Sequence, residues 1–266
     1  MSRTQATHAS WKGSITFGMV SVPVKLYSAT EERKVAFNMV HGECGTRTKS
    51  KTFCPGCDRD VERSEIVKGY DAGGQMVVLT DEDFDGLPLR STRSIDVIAF
   101  VPSETVPQIM LDKPYFVAPA EDVGQKAFAL LRDAMNLEVV AIAKLSRGGK
   151  EWLCAIRAYG RLLALHYLVW PDEVRAIDAL EQTVEDVPVS EEELQLAADL
   201  VAAMTRPDAG VLEEQHDGYR EALLQVIEAK QEGREPVKLP QPKAAGAANL
   251  MAALKASVEA AKAEAA

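Results

Sequence analysis

The chain has 266 residues, 47% hydrophobic and 26% charged, which is enough for one large core or a core with an appendage. Its formal net charge of −10 argues, as an average, against a uniformly basic nucleic-acid binder. No apolar run approaches the roughly 18–20 residues that span a bilayer, and Met1–Lys12 lacks the apolar stretch of a secretory signal, so a reducing cytoplasm is the expected compartment.

Residues 11–28 read as extended. Ile15, Phe17 and Met19, then Val20, Val22, Val24 and Leu26, alternate with a phase shift near Gly18, and Pro23 suggests an edge or a bulge. The strand-like pattern continues at 35–40 and gives way to a Cys/Gly/Lys-rich segment at 41–60. Further short strands are predicted at 76–80, 95–101 and 115–118, with turns at Gly73-Gly74, at Gly86 with Pro88, and at Lys113-Pro114. A helix is predicted over 122–136, with Val123, Ala127, Leu130, Leu131 and Ala134 on one face. Strands at 139–145 and 151–157 flank the basic tip Ser146-Arg147-Gly148-Gly149-Lys150 as a hairpin. Arg161–Trp170 reads as a buried strand, closed by Pro171.

After residue 177 the pattern turns helical. Ser190 and Glu193 form a capping box, with Leu194, Ala197, Ala198, Val201 and Ala202 as the apolar stripe behind it. A second helix is predicted over 218–231 through Tyr219, Ala222, Leu223, Val226 and Ile227. Glu235–Gly246 holds three prolines and reads as a linker. Asn249–Ala265 reads as an amphipathic helix with Leu250, Met251, Leu254, Val258 and Ala261 on one side.

The charge is unevenly spread. Residues 1–70 carry net +4, residues 71–177 net −4, residues 178–235 net −12, and residues 236–266 net +2. A locally basic surface binds phosphates even on an acidic chain. A solvated acidic protein with chance fluctuation is the plainer alternative.

The sharpest local motif is His41 and Cys44 followed by Cys54 and Cys57, a spacing of H-x2-C-x9-C-x2-C. Three thiolates and one imidazole would fill a tetrahedral zinc shell, so the motif points to structural rather than catalytic zinc. Pro55-Gly56 suits the tight turn between the second pair. Three reduced thiols and a surface histidine without metal remain the alternative. Residues 46–52 between the pairs carry Arg47, Lys49 and Lys51 with hydroxyls and no core-forming side chain; a metal clip would hold them rigid against phosphates. Cys154, alone in a strand-like run, reads as a core thiol, and His166 as a satisfied core histidine. No phosphate-binding glycine loop, GxSxG or HExxH occurs, so no enzyme class is indicated. A zinc-containing regulatory or partner-binding module is the second functional class, and a metal-dependent hydrolase the third.

The run WKGSITFGMVSVPVKLY at 11–27 with Ser28-Ala29-Thr30 after it, VKGY at 67–70, LVWPDEVR at 168–175 and NLMAALKASV at 249–258 together resemble the prokaryotic Ku family over nearly the whole chain. The first motif is long and specific, and the last is short and Ala-rich. The resemblance implies a mixed α/β, β-rich chain: a Ku-type β-barrel core with a DNA-encircling bridge over 1–177, a helical arm over 178–235, and a linker with a terminal helix over 236–266. It further implies a homodimer that rings the ends of double-stranded DNA, does no chemistry itself, and recruits the ATP-dependent DNA ligase D in non-homologous end joining, in a cytoplasmic, nucleoid-associated setting. A ring that accepts any sequence needs phosphate and sugar contacts. The candidates are Lys12, Lys25, Arg33, Lys34, Arg47, Lys49, Lys51, Arg147 and Lys150, each equally readable as a solvated charge. The His41/Cys44/Cys54/Cys57 set is found in only part of that family, so zinc rests on spacing. Many members end in a Lys-rich extension, whereas residues 236–266 here are only net +2.

Overall fold

A computed structural model describes residues 8–85, 87, 93–120, 124–136, 138–235 and 250–264. The chain divides into two units: one holds the residues up to Glu32 with Asn38–Ala176, the other Arg33–Phe37 with Ile177 onward.

The first unit is built on a closed barrel. Strands β1 (Trp11–Phe17) and β2 (Val20–Ser28) pair as a hairpin. An excursion follows, containing β3 (Thr52–Cys54), β4 (Arg59–Val61), β5 (Lys68–Asp71), β6 (Met76–Leu79) and the short helix α1 (Asp81–Asp85). The chain returns as β7 (Ser94–Pro102) and β8 (Leu111–Pro119), then helix α2 (Gln125–Met135), then β9 (Val139–Arg147), β10 (Lys150–Tyr159) and β11 (Leu162–Leu168). The barrel order is β1-β2-β8-β11-β10-β9-β7, and a parallel β1–β7 pairing closes it among otherwise antiparallel neighbours. Closure removes the free edges that an open sheet would expose.

Period-2 alternation fills the lumen. Ile15, Val22, Val24, Leu26, Ile95, Val117, Leu145, Ile156, Leu163 and Leu165 are fully buried, with Cys154 among them. Phe128, Leu131 and Met135 of α2 join the same core from outside the strands. A smaller cluster, Val140, Ala155 and Leu168, lies on the other side of the wall under Val106 and Met110. Gly13 is required for close approach, because a Cβ there would stand 2.1 Å from the Arg93 carbonyl oxygen. Gly148 and Gly149 take φ of 61° and 72° and make the expected tight turn between β9 and β10.

Two prolines behave differently from the expectation. Pro23 lies inside β2 rather than at a sheet edge, and Lys113-Pro114, expected as a turn, lies inside β8. The reason is where the β2–β8 ladder stops, at Val24↔Pro119 and Ser28↔Tyr115. The Pro23 carbonyl accepts from Ala120 N–H and the Pro114 carbonyl from Ala29 N–H, each just beyond those last pairs. A strand residue aims N and C=O to the same side, so each proline nitrogen faces a position where no ladder donor is needed. Residues 35–40, expected as a strand, form only an isolated bridge between Val40 and Arg47. The expected turn at Gly86 with Pro88, Val123 of the expected helix, and residues 236–249 lie outside the described residues, as do the side chains of Leu250 and Ala261.

The second unit is helical: α3 (Asp178–Glu181), α4 (Glu191–Met204), α5 (Val211–Glu214), α6 (Gly218–Gln231) and α7 (Leu250–Glu264). The capping box at α4 is present: Ser190 Oγ accepts from Glu193 N–H at 3.3 Å and the Glu193 carboxylate accepts from Ser190 N–H at 2.9 Å. Helix α7 packs on α4, with Lys255 3.6 Å from Glu192. Only Ala229 and Val258 are buried among this unit's described side chains.

Candidate nucleic-acid interface

The barrel's outer wall is decided by the same alternation that fills its lumen. With Ile15, Val24 and Leu26 inward, Lys12 and Lys25 point outward, and the register sets them directly opposite one another on β1 and β2. Neither has an ion-pair partner among the described residues. Like charges directly opposed across two strands destabilise a sheet. Such a pair is chemically suited to an anion lying over both.

The other predicted cations are scattered. Lys150 is exposed beside the Gly148-Gly149 turn. Arg147, at the same tip, turns toward the barrel end: it donates to Tyr167 Oη at 3.4 Å and to the Ser10 carbonyl at 3.1 Å, and stands 5.7 Å from the Tyr115 ring. Tyr167 stacks on Trp152 at 4.8 Å, and burial pushes its phenol up to about 12. Arg147 thus ties the first residues of the described chain to the barrel's aromatic end. Arg47 and Lys49 are exposed, while Lys51 pairs with Asp60 at 2.6 Å. Arg33 and Lys34 fall in the segment that clusters with the second unit.

The four metal-donor candidates occupy two similar turns. In the first, Gly45 N–H donates to the His41 carbonyl at 2.8 Å, and Gly45 takes φ of 67°. In the second, between β3 and β4, Cys57 N–H donates to the Cys54 carbonyl at 3.3 Å, and Asp58 takes φ of 52°. Each turn presents two donors separated by two intervening residues and ends on a left-handed residue. His41 Nδ1 lies 3.2 Å from Cys44 Sγ. Bonding to Thr46 and then to His41 lowers the Cys44 thiol to about 7. Cys54 is lowered by N–H and thiol donation from Cys57, and Cys57 is raised in consequence. The structure therefore brings the donors together as two pairs; among the described residues no three His, Cys, Asp or Glu side chains converge on one point. The donor chemistry and paired turns fit a zinc ion, and joining the pairs would require them to close on each other.

Two residues depart from the sequence reading or match it for a clear reason. Cys154 is buried as expected, and burial pushes its thiol up to about 12. His166 is not a satisfied core residue: it lies on the outer wall, because Leu165 and Tyr167 take the inward positions, and its Nδ1 has no partner. Sequence reasoning also passed over Arg157, Phe116 and Tyr159 on that wall, where the Phe116 and Tyr159 rings meet at 5.7 Å. Alternation within 151–157 carried the signal for Arg157, but the opposing residues that give it meaning come from other strands.

Residues 16–196 match a family model described as the Ku70/Ku80 beta-barrel domain. A relative from Symbiobacterium thermophilum, named Non-homologous end joining protein Ku, is 41% identical over 263 residues, which is 97% of this chain and 64% of that protein. One of the same name from Frankia casuarinae is 44% identical over 261 residues, 96% of this chain and 64% of that protein. Another from Archaeoglobus fulgidus is 41% identical over 256 residues, 96% of this chain and 99% of that protein. The chain thus spans just under two thirds of the first two relatives and nearly all of the third.

Proposed function

Given that the chain belongs to the Ku family, we propose that it binds ends of double-stranded DNA without regard to sequence, as a ring-shaped homodimer, and recruits and stimulates ligase D in non-homologous end joining. The observation that carries this reading is the opposed Lys12–Lys25 pair on the barrel wall. It concentrates positive charge on the barrel's outer wall, which suits contact with phosphates rather than with base edges. Threading explains end preference, because a closed ring admits duplex only from a free terminus.

The homodimer accounts for apolar surface that one chain leaves open. The β5–β6 hairpin is a two-stranded sheet whose Tyr70, Met76 and Val78 are exposed, next to exposed Val67. Isolated two-stranded sheets are marginal in water, and contiguous exposed apolar patches mark interaction surfaces. In the helical unit, Leu180, Val184, Val187, Val189, Val201 and Met204 are likewise exposed. The terminal helix is assigned to ligase recruitment, and the net −12 stretch over 178–235 repels phosphates and stays available for protein contacts. The protein acts as a scaffold and contributes no chemistry of its own. One zinc ion, held by His41, Cys44, Cys54 and Cys57, would clamp the two knuckle turns and set Arg47 and Lys49 rigidly.

The deciding experiment compares binding to linear and covalently closed circular duplex of the same sequence. Linear duplex is expected to bind far more tightly, with affinity falling steeply as salt rises. Equal binding to both forms sinks the threading model.

A further inference from the structure

The outer wall also carries an aromatic patch that neither the charge pattern nor the resemblance singles out, and its reading rests on the duplex-end binding proposed above. Strands β2, β8, β11 and β10 are consecutive neighbours in the barrel. Leu26, Val117, Leu163 and Leu165 on the first three fill the lumen, as do Cys154 and Ile156 on β10. Tyr27, Phe116, Ala164 and Tyr159 therefore take outward positions. The register sets Tyr27 opposite Phe116, and Phe116 opposite Ala164. Ala164 puts only a methyl group between β8 and β10, so the Phe116 and Tyr159 rings meet across β11 at 5.7 Å. Tyr159 keeps 58% of its surface exposed, which leaves its ring accessible to a flat ligand.

Charge decides which flat ligand fits. Lys25 lies on the same side of β2 as Tyr27, with Lys12 directly across from it. Arg161 is exposed in the two-residue turn that follows Tyr159. None of these three cations has an ion-pair partner among the described residues. Arg132, which pairs with Asp133 at 2.7 Å, donates to the Arg161 carbonyl at 3.1 Å and sets a further guanidinium beside the turn. Among the described residues, no carboxylate takes an outward position on β2, on β11 or on the ring-bearing halves of β8 and β10. Asp112 and Glu151 lie toward the opposite ends of those last two strands, and Glu151 is held by Lys144 at 2.8 Å. Rings on the strands of an exposed sheet, flanked by cations, form a surface on which unstacked bases lie while their phosphates meet the charges. Paired duplex cannot use the rings, because its base faces are already stacked. A single strand supplies open ring faces and anions together.

We propose that the Phe116–Tyr159 ring pair, with Tyr27 beside it and Lys25 and Arg161 on either side, holds the unpaired bases of a single-stranded overhang at the bound DNA end. A stacked base adds affinity whatever its identity, so end binding stays independent of sequence while favouring ends that carry an overhang. The test uses the full chain and fluorescence anisotropy on labelled duplexes that share one double-stranded part: blunt, with a short thymidine overhang, and with an overhang of abasic sugar-phosphates. Wild type is expected to bind the thymidine overhang at least about 5-fold more tightly than the abasic one, the low end of what one stacked base supplies. Tyr159→Ala should erase that difference and leave blunt-end binding unchanged. Tyr159→Phe should keep it, because stacking needs the ring and not the hydroxyl. Matching unfolding temperatures show that the variants fold, and quenching of a 2-aminopurine in the overhang reads the stacking in wild type itself. Equal affinity of wild type for thymidine and abasic overhangs, with no quenching, overturns the proposal and leaves the duplex reading intact. So does a difference that survives in Tyr159→Ala, or a loss in that variant shared equally by blunt ends. Equally tight binding of the unattached thymidine strand would assign the patch to free single strands and overturn the overhang claim. If wild type binds no duplex end at low salt, both readings fall.

Discussion

Replacing Lys12 and Lys25 together by glutamine separates a binding role from a structural one, because the two roles predict opposite signs. In the folded barrel the residues are directly opposed across β1 and β2. Opposed Cβ atoms lie about 4.5–5.5 Å apart, and such like-charge pairs cost roughly 0.2–1 kcal/mol. Lys12 is exposed and Lys25 partly so, which places the cost near the low end, about 0.3 kcal/mol after solvent and salt screening. The double variant should therefore be slightly more stable, with an unfolding temperature higher by about 1 °C. Binding should move the other way. Two lost phosphate contacts per chain reduce the salt slope by about 1.8 per chain, about 3.6 for the homodimer, so wild type loses about 150-fold more affinity than the variant between 50 and 200 mM salt. Anisotropy on linear duplex across that range, with a parallel thermal melt, reads both quantities. An unchanged slope, or a loss of stability accompanying weaker binding, refutes the assignment of this pair to phosphate.

Three other outcomes are expected. Cys57→Ser should release zinc and loosen residues 41–60, and plasma emission on purified wild type checks the premise: a wild type without zinc ends the metal assignment. Removing residues 249–266 should weaken ligase D pull-down while linear-duplex binding is kept; unchanged pull-down would take the terminal helix out of recruitment, and intact duplex binding guards against global misfolding, since α7 packs on α4. In metal-free native protein at pH 8, an aromatic disulfide reagent should titrate Cys44, Cys54 and Cys57 quickly and Cys154 only on unfolding, so four fast thiols would contradict the barrel core. The folded Cys154 thiol stands at about 12 against an ordinary 9.0, so its contribution to stability is full below pH 9 and fades as pH climbs toward 12.

Much of the barrel was legible because its signals are local. The alternation of Ile15, Val22, Val24 and Leu26 marked β1 and β2, and Gly148-Gly149 marked the β9–β10 turn. Ser190 and Glu193 announced the start of α4 within four residues of chain. The two donor turns were equally local, since each depends on a two-residue gap. Prolines misled at Pro114 because a local rule for strands ignores where the neighbouring strand ends, and that end is set by β2, more than 80 residues earlier.

The sequence by itself determined most of the barrel strands, the helical arm, the uneven distribution of charge and the two-residue gap within each pair of metal donors, all properties of residues near one another along the chain. Tertiary structure alone decided which residues meet across strands. It set Lys12 against Lys25, turned Arg147 into the aromatic end of the barrel, moved His166 from the expected core to the outer wall beside Arg157, and kept the His41–Cys44 and Cys54–Cys57 pairs apart. The physical reason is register: alternation says that a side chain faces in or out, but its neighbour on the next strand depends on closure of the whole barrel.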